Sequence, residues 1–101
     1  MEHNLRGRDL TNRHMYKEAI EEFNAALQES PDFTQALNAR GFAYVLTRAW
    51  ANALKDLDEA LRLDPNYANA YMNRAVARKG AGDAAGAEAD QAKVRELTAK
   101  K

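Results

Sequence analysis

Apolar positions along this chain recur with a helical period, and the clearest run lies between Thr34 and Tyr67. One row takes Leu37, Gly41 and Tyr44, and a second takes Ala53, Leu57, Ala60 and Leu61. Spacings of three and four residues put each row on one stripe of an amphipathic helix, whereas a half-buried strand would alternate. Arg48-Ala49 separates the rows, Trp50 opens the second helix, and Asp64-Pro65-Asn66 stops it. The pattern predicts two short helices joined by a turn.

The same chemistry returns at a spacing of 34 residues on either side. Gly41 falls on Gly7 before it and Ala75 after it; Ala53 falls on Ala19 and Ala87; Leu57 on Phe23 and Gln91; Ala60 on Ala26 and Val94. Trp50 corresponds to Tyr16 and Ala84, and Pro65 to Pro31. A constant period of this size describes a helix pair that buries its apolar face against its neighbours. Small residues recur because two helices approach closely only where Gly or Ala admits one backbone to the groove of the other.

With these positions aligned, the chain resembles the tetratricopeptide repeat family. The family's slots for a large residue, a large residue followed by Gly, then Tyr, a mid-repeat Ala, an aromatic and a closing Pro hold Leu37, Arg40-Gly41, Tyr44, Ala53, Leu57 and Pro65. The resemblance covers residues 1–101 as one domain of three repeats, about 1–33, 34–67 and 68–101. It implies an all-α fold, an α–α superhelix: a right-handed solenoid of three helix-turn-helix units with six antiparallel helices. It implies little about function, since such repeats serve many unrelated complexes.

Each unit carries its own expectations. Glu2–Arg13 reads as a short first helix, with His3 in the large-residue slot of Leu37 and Tyr71, as a packed or half-exposed ring. His14 and Arg48 fall in the turns where the third unit has Gly82, and if the turn forces them to positive φ each costs on the order of 1 kcal/mol. Met15–Glu29 carries Tyr16, Ala19, Ile20, Phe23, Ala26 and Leu27 on one face, and Asp32 and Asn66 are placed to cap the helices that follow them. In Ala84–Leu97 the apolar positions of the earlier units become Glu88, Gln91 and Arg95, the polar outer face of a terminal repeat. That helix keeps only a thin core, on Ala84, Ala87 and Val94, and is expected to open first, with residues 99–101 fraying.

Composition narrows the function classes. An apolar share of 46% suits a packed, elongated core, and the absence of cysteine excludes disulfides and thiolate metal sites. Fifteen basic residues balance fifteen acidic ones, which argues against a general nucleic-acid binder. No apolar run approaches membrane-spanning length and Met1-Glu2-His3-Asn4 does not read as a secretion signal, so the expectation is a cytoplasmic module with no membrane partner. Nothing supports catalysis. The two His lie eleven apart in different local contexts, no Gly-rich loop follows a strand, and the carboxylates sit on outward faces. Gly80, Gly82 and Gly86 mark only a turn and a helix start. No catalytic residue, metal ligand or cofactor is assigned.

Charged residues repeat in phase as well. Arg6, Arg40 and Arg74 share one slot, and Glu22, Asp56 and Asp90 share another, as expected of structural ion pairs between facing helices. Residues 1–14, 34–48 and 68–81 hold eight basic side chains (Arg6, Arg8, Arg13, Arg40, Arg48, Arg74, Arg78, Lys79) against Glu2 and Asp9. In the family these first helices line the concave face, which would make a mildly basic groove suited to acidic ligands or a free C-terminal carboxylate. The resemblance places Asn4, Arg8, Thr11, Asn12, Gln35, Asn38, Phe42, Val45, Asn69, Met72, Asn73, Val76 and Lys79 on that face. Phe42, Val45, Met72 and Val76 have no evident core partner and predict an exposed apolar strip, rimmed by amides able to hydrogen-bond an extended backbone.

The sequence therefore reads as a protein-interaction module that binds a partner peptide or protein segment through Arg8, Asn38, Phe42, Val45, Asn69, Met72, Asn73, Val76 and Lys79. The alternative is a scaffold, monomer or weak homo-oligomer, that self-associates through an open first helix around His3, Leu5 and Leu10. One well-known family site, the carboxylate clamp for chaperone tails, needs Lys and Asn, then Asn, then Lys and Arg on successive inner helices. Those places hold Asn4 and Arg8, Ala39, and Asn69 and Asn73. No position matches by type, which argues against a standard chaperone-tail adaptor.

Overall fold

The computed structural model describes residues 2–99 and consists of six helices among them: α1 (Glu2–Asn12), α2 (Tyr16–Glu29), α3 (Thr34–Leu46), α4 (Trp50–Leu63), α5 (Ala68–Gly80) and α6 (Ala84–Ala99). Lys100 and Lys101, expected to fray, lie outside the described residues, and Ala99 is still helical. Each first helix packs on its own second helix, and α2 and α4 each pack on the first helix of the next unit. In addition α1 touches α3 and α3 touches α5, while among the described residues α2 does not meet α4, nor α4 α6. First helices crowd together and second helices splay apart, so the stack curves with α1, α3 and α5 on its concave side. This is the α–α superhelix that the family resemblance implies.

Close approach within a pair rests on Gly7 and Gly41. A Cβ at Gly7 would lie 2.5 Å from the Phe23 ring, and one at Gly41 would lie 2.8 Å from Leu57 Cγ. Phe23 and Leu57 are the largest fully buried side chains, so each fills the space its glycine vacates. The third unit holds Ala75 opposite Gln91 and does without a large buried residue there. Consistent with that, α6 buries only Ala87 and Asp90, Val94 is half-covered and Ala84, expected in the core, is exposed. Gly80 makes a separate contact: a Cβ there would come within 2.5 Å of the Trp50 ring, which lies across the end of α5.

The inter-helix turns share one geometry. His14 and Arg48 adopt φ of 62° and 61°, and Gly82 adopts 92°. After each, the next residue returns its N–H to a carbonyl five residues earlier: Met15 to Leu10 at 2.9 Å, Ala49 to Tyr44 at 2.9 Å, and Asp83 to Arg78 at 2.7 Å. This closes the first helix with a left-handed residue and satisfies its last carbonyls. The capping expectation is corrected. Phe33 and Tyr67, not Asp32 and Asn66, occupy the N-cap positions of α3 and α5, without side-chain cap bonds, because that slot carries an aromatic ring packed on the core. Asn66 instead donates its backbone N–H to Asp64 Oδ1 at 3.1 Å. The helix with a side-chain cap is α6, where Asp83 Oδ1 accepts the Gly86 N–H at 2.8 Å.

The repeated charges pair unevenly. Asp56 and Asp90 are 3% and 2% exposed. Arg40 grips Asp56 with Nε and Nη2, both at 2.7 Å, and Arg74 grips Asp90 at 3.0 and 2.8 Å. The remaining Nη1 of each reaches back one unit, Arg40 to Asn24 Oδ1 at 2.8 Å and Arg74 to Asp58 Oδ1 at 3.0 Å. Hydrogen bonds to Asp56 and Asp90 hold both guanidinium groups above their ordinary pKa. The first unit departs from this pattern: Arg6 stands 3.8 Å from Glu22, and His3 Nδ1 takes that carboxylate at 2.7 Å.

Arg40→Ala leaves the Asp56 carboxylate buried without its partner and is expected to cost about 3 kcal/mol in chemical denaturation, whereas Arg40→Leu/Asp56→Leu stays close to wild type. Arg48→Gly relieves the left-handed strain and is expected to gain about 1 kcal/mol in the same measurement.

Candidate functional site

Between α1, α3 and α5 lies an open groove of about 610 Å³, a volume typical of ligand clefts. Its lining comes from Asn4, Leu5, Arg8, Thr11 and Asn12 of α1, from Gln35, Asn38, Ala39 and Phe42 of α3, and from Tyr67, Asn69, Met72 and Asn73 at α5, with Phe23 beneath. Helical spacing aligns these side chains. Asn4, Arg8 and Thr11 follow one stripe of α1, as Gln35, Asn38 and Phe42 do on α3, and Asn69, Met72 and Asn73 on α5.

Three apolar side chains stand exposed in the groove: Leu5, Phe42 (39% exposed) and Met72 (51%). Val76, at 52%, and Lys79 are also exposed, further along α5 and outside the lining. Val45 departs from expectation. It is only 7% exposed and belongs to the core cluster that contains Ala77 of α5. Direct packing of α3 on α5 closes that edge of the concave face, so the apolar strip runs through Phe42, Met72 and Val76 without Val45. Leu5 joins it from α1, a contribution its own slot hides because the equivalent positions are Ala39 and Asn73.

The amides divide into two groups. Asn73 Nδ2 donates to Asn38 Oδ1 at 2.9 Å, and Asn38 Nδ2 donates to the Tyr67 hydroxyl at 3.3 Å. This relay bridges α3 and α5 and occupies both ends of the buried Asn38 amide, so Asn38, expected among the ligand-binding amides, is engaged within the fold. Asn69 is exposed. Asn4 is buried at 3% exposed, and its Oδ1 has no hydrogen-bond partner among the described residues.

Charge in the groove is sparser than the sequence implies. Five of the eight basic residues on the first-helix segments are engaged: Arg40 and Arg74 as above, Arg6 and Arg13 with Glu2 and Asp9 on their own helix, and Arg78 with Asp90 at 3.1 Å. Arg8 is exposed, makes no ion pair among the described residues, and is the one charged residue of the lining. The α1 residues considered for self-association are dispersed: His3 faces Glu22, Leu10 packs against the Ala19–Phe23 cluster, and Leu5 opens onto the groove. Among the described residues no three His, Asp or Glu converge as metal ligands would, and no helix is long and apolar enough to cross a membrane.

A family model described as TPR repeat matches residues 49–82. The fold overlays a solved structure described as the first TPR of Spaghetti (RPAP3) bound to HSP90 peptide SRMEEVD with a TM-score of 0.93, at 25% identity, over 98% of this chain and 79% of that one. The chain is a tetratricopeptide repeat protein. Its sequence is 30% identical over 76 residues to the heat shock protein sti1 homolog of Schizosaccharomyces pombe, and 35% identical over 82 residues to RNA polymerase II-associated protein 3 of Xenopus tropicalis. These matches take in 75% and 81% of this chain but only 13% and 12% of the curated relatives. The tetratricopeptide repeat unit is thus shared with much longer proteins.

The two classes of apolar residue on this repeat stack separate by stability. Val45→Ala is expected to lower the unfolding free energy by about 1 to 3 kcal/mol, and Met72→Ala or Val76→Ala to stay within about 0.5 kcal/mol of wild type, by thermal or chemical denaturation.

Proposed function

We propose that this tetratricopeptide repeat domain is a non-catalytic interaction module that binds a segment of a partner protein in its concave groove. One observation carries the reading: Leu5, Phe42 and Met72, from three different helices, converge exposed on one cleft rimmed by amides and a single free arginine. Monomeric domains seldom expose apolar side chains in such a cluster without a use for it. Phe42 and Met72 supply contact area, Asn69 supplies hydrogen bonds, and Arg8 attracts acidic groups. Val76 and Lys79 extend the surface beyond the cleft. The likeness to a repeat domain solved with a peptide in place supports the same use of the concave side.

The test compares capture by wild-type protein and by Phe42→Ala/Met72→Ala, after circular dichroism has shown both to be folded. Partners identified by mass spectrometry and narrowed to segments on peptide arrays are expected to bind the double variant at least about tenfold more weakly. Equal binding by the two proteins would place recognition elsewhere on the molecule.

A further inference from the structure

The polar relay between α5 and α3 has no counterpart between α3 and α1. Shifted by 34 residues, Asn38 falls on Asn4, Asn73 on Ala39 and Tyr67 on Phe33. Asn38 accepts from Asn73 Nδ2 at 2.9 Å and donates to the Tyr67 hydroxyl at 3.3 Å. At the first junction Ala39 has no amide to donate and Phe33 no hydroxyl to receive. Asn4 holds the same buried place, with its Oδ1 unbonded among the described residues. The central asparagine is present and both of its partners are missing.

The other ties of α1 also stop short of α3. Among the described residues its side chains bond only within α1, to the turn that follows, or to α2: Thr11 to the Gly7 carbonyl, Arg6 to Glu2 and Glu22, Asp9 to Arg13, and His3 to Glu22 and Glu29. Apolar burial does not make up the difference. The buried residues of α1 are Asn4, Gly7 and Thr11, and Leu10 is its one large apolar side chain in the interior, half-buried against the Ala19–Phe23–Ala43 cluster. By contrast α2 is fastened to α3, through Arg40 Nη1 and Asn24 Oδ1 at 2.8 Å. A stranded acceptor raises the energy of the closed α1–α3 contact, and moving α1 outward returns the amide to water. Elements with few buried apolar side chains and few ties open at the lowest cost.

We propose that α1 is a movable wall of the groove, opening and closing against a fixed α3–α5 pair, and that the hydroxyl missing at Phe33 and the amide missing at Ala39 are what release it. Leu5 and Arg8 travel with α1, so the distance between them and Phe42 is adjustable while that between Phe42 and Met72 is not. The motion follows from contacts within the chain and does not rest on what the groove binds.

The experiment is amide hydrogen exchange on the full chain without ligand, read residue by residue by NMR. In wild-type protein the hydrogen-bonded amides of α1 are expected to be at least about tenfold less protected than those of α3. Phe33→Tyr/Ala39→Asn rebuilds the relay around Asn4 and should slow exchange in α1 about tenfold, as expected for bonds regained, while α6 stays unchanged. General fraying of a terminal helix would not respond to these two side chains, which lie outside α1. The reverse variant, Tyr67→Phe/Asn73→Ala, copies the first junction into the second and should speed exchange in α5 about tenfold with α1 unaffected. Equal protection of α1 and α3 in wild-type protein would overturn the inference, as would a folded Phe33→Tyr/Ala39→Asn protein whose α1 exchanges at the wild-type rate. Should that variant fail to fold, the reverse one decides: an unaltered α5 overturns the inference, and a loosened α5 supports it.

Discussion

Two buried aspartates set the terms on which this stack can exist. Asp56 and Asp90 are almost wholly withdrawn from water, and an ionised carboxylate in that position is tolerable only with a well-placed cation. Arg40 and Arg74 meet the need with a two-bonded grip, and the geometry of the guanidinium leaves a further N–H pointing toward the preceding unit. Asn24 and Asp58 receive it. One side chain thereby ties three helices: the first and second of its own repeat and the second of the repeat before. Apolar packing alone is forgiving of small slides between helices, whereas a three-way polar junction is not.

Most of the architecture was legible because it depends on short-range pattern. The shift of 34 residues brings Gly7 to Gly41 and Phe23 to Leu57, and the structure seats each ring or branched side chain on its glycine. The same shift carries Gly82 onto His14 and Arg48, which explains why a histidine and an arginine accept a left-handed backbone. Legibility fell away where exposure depends on how neighbouring units approach. Val45 and Phe42 lie three residues apart on one helix, yet only Val45 is covered by the packing of α3 on α5. Asn38 found its partners 29 and 35 residues away, at Tyr67 and Asn73, in an arrangement no local pattern encodes. His3 took the carboxylate that phase alone assigned to Arg6. The orphaned oxygen of Asn4 is likewise a product of packing, invisible until its neighbours are in place.

The concave side emerges as a surface of restricted chemistry. The repeat frame supplies the curvature, the junctions at Asp56 and Asp90 keep the arginines of that frame on the flank, and the Asn73–Asn38–Tyr67 relay holds α3 and α5 at a set separation. What is left open to a ligand is small: three apolar side chains, exposed amides at Asn12, Gln35 and Asn69, and one cation. A frame shared with relatives thus carries a lining of its own, as expected when architecture and recognition occupy different helix faces.

Trp50 gives the molecule a built-in reporter. It is the single tryptophan of the chain, and its ring rests on Gly80 across the boundary between the second and third units. Its fluorescence therefore senses whether those two units stay docked, at a place removed from the cleft itself. Detachment of the third unit from the second would register in that emission without any label being introduced.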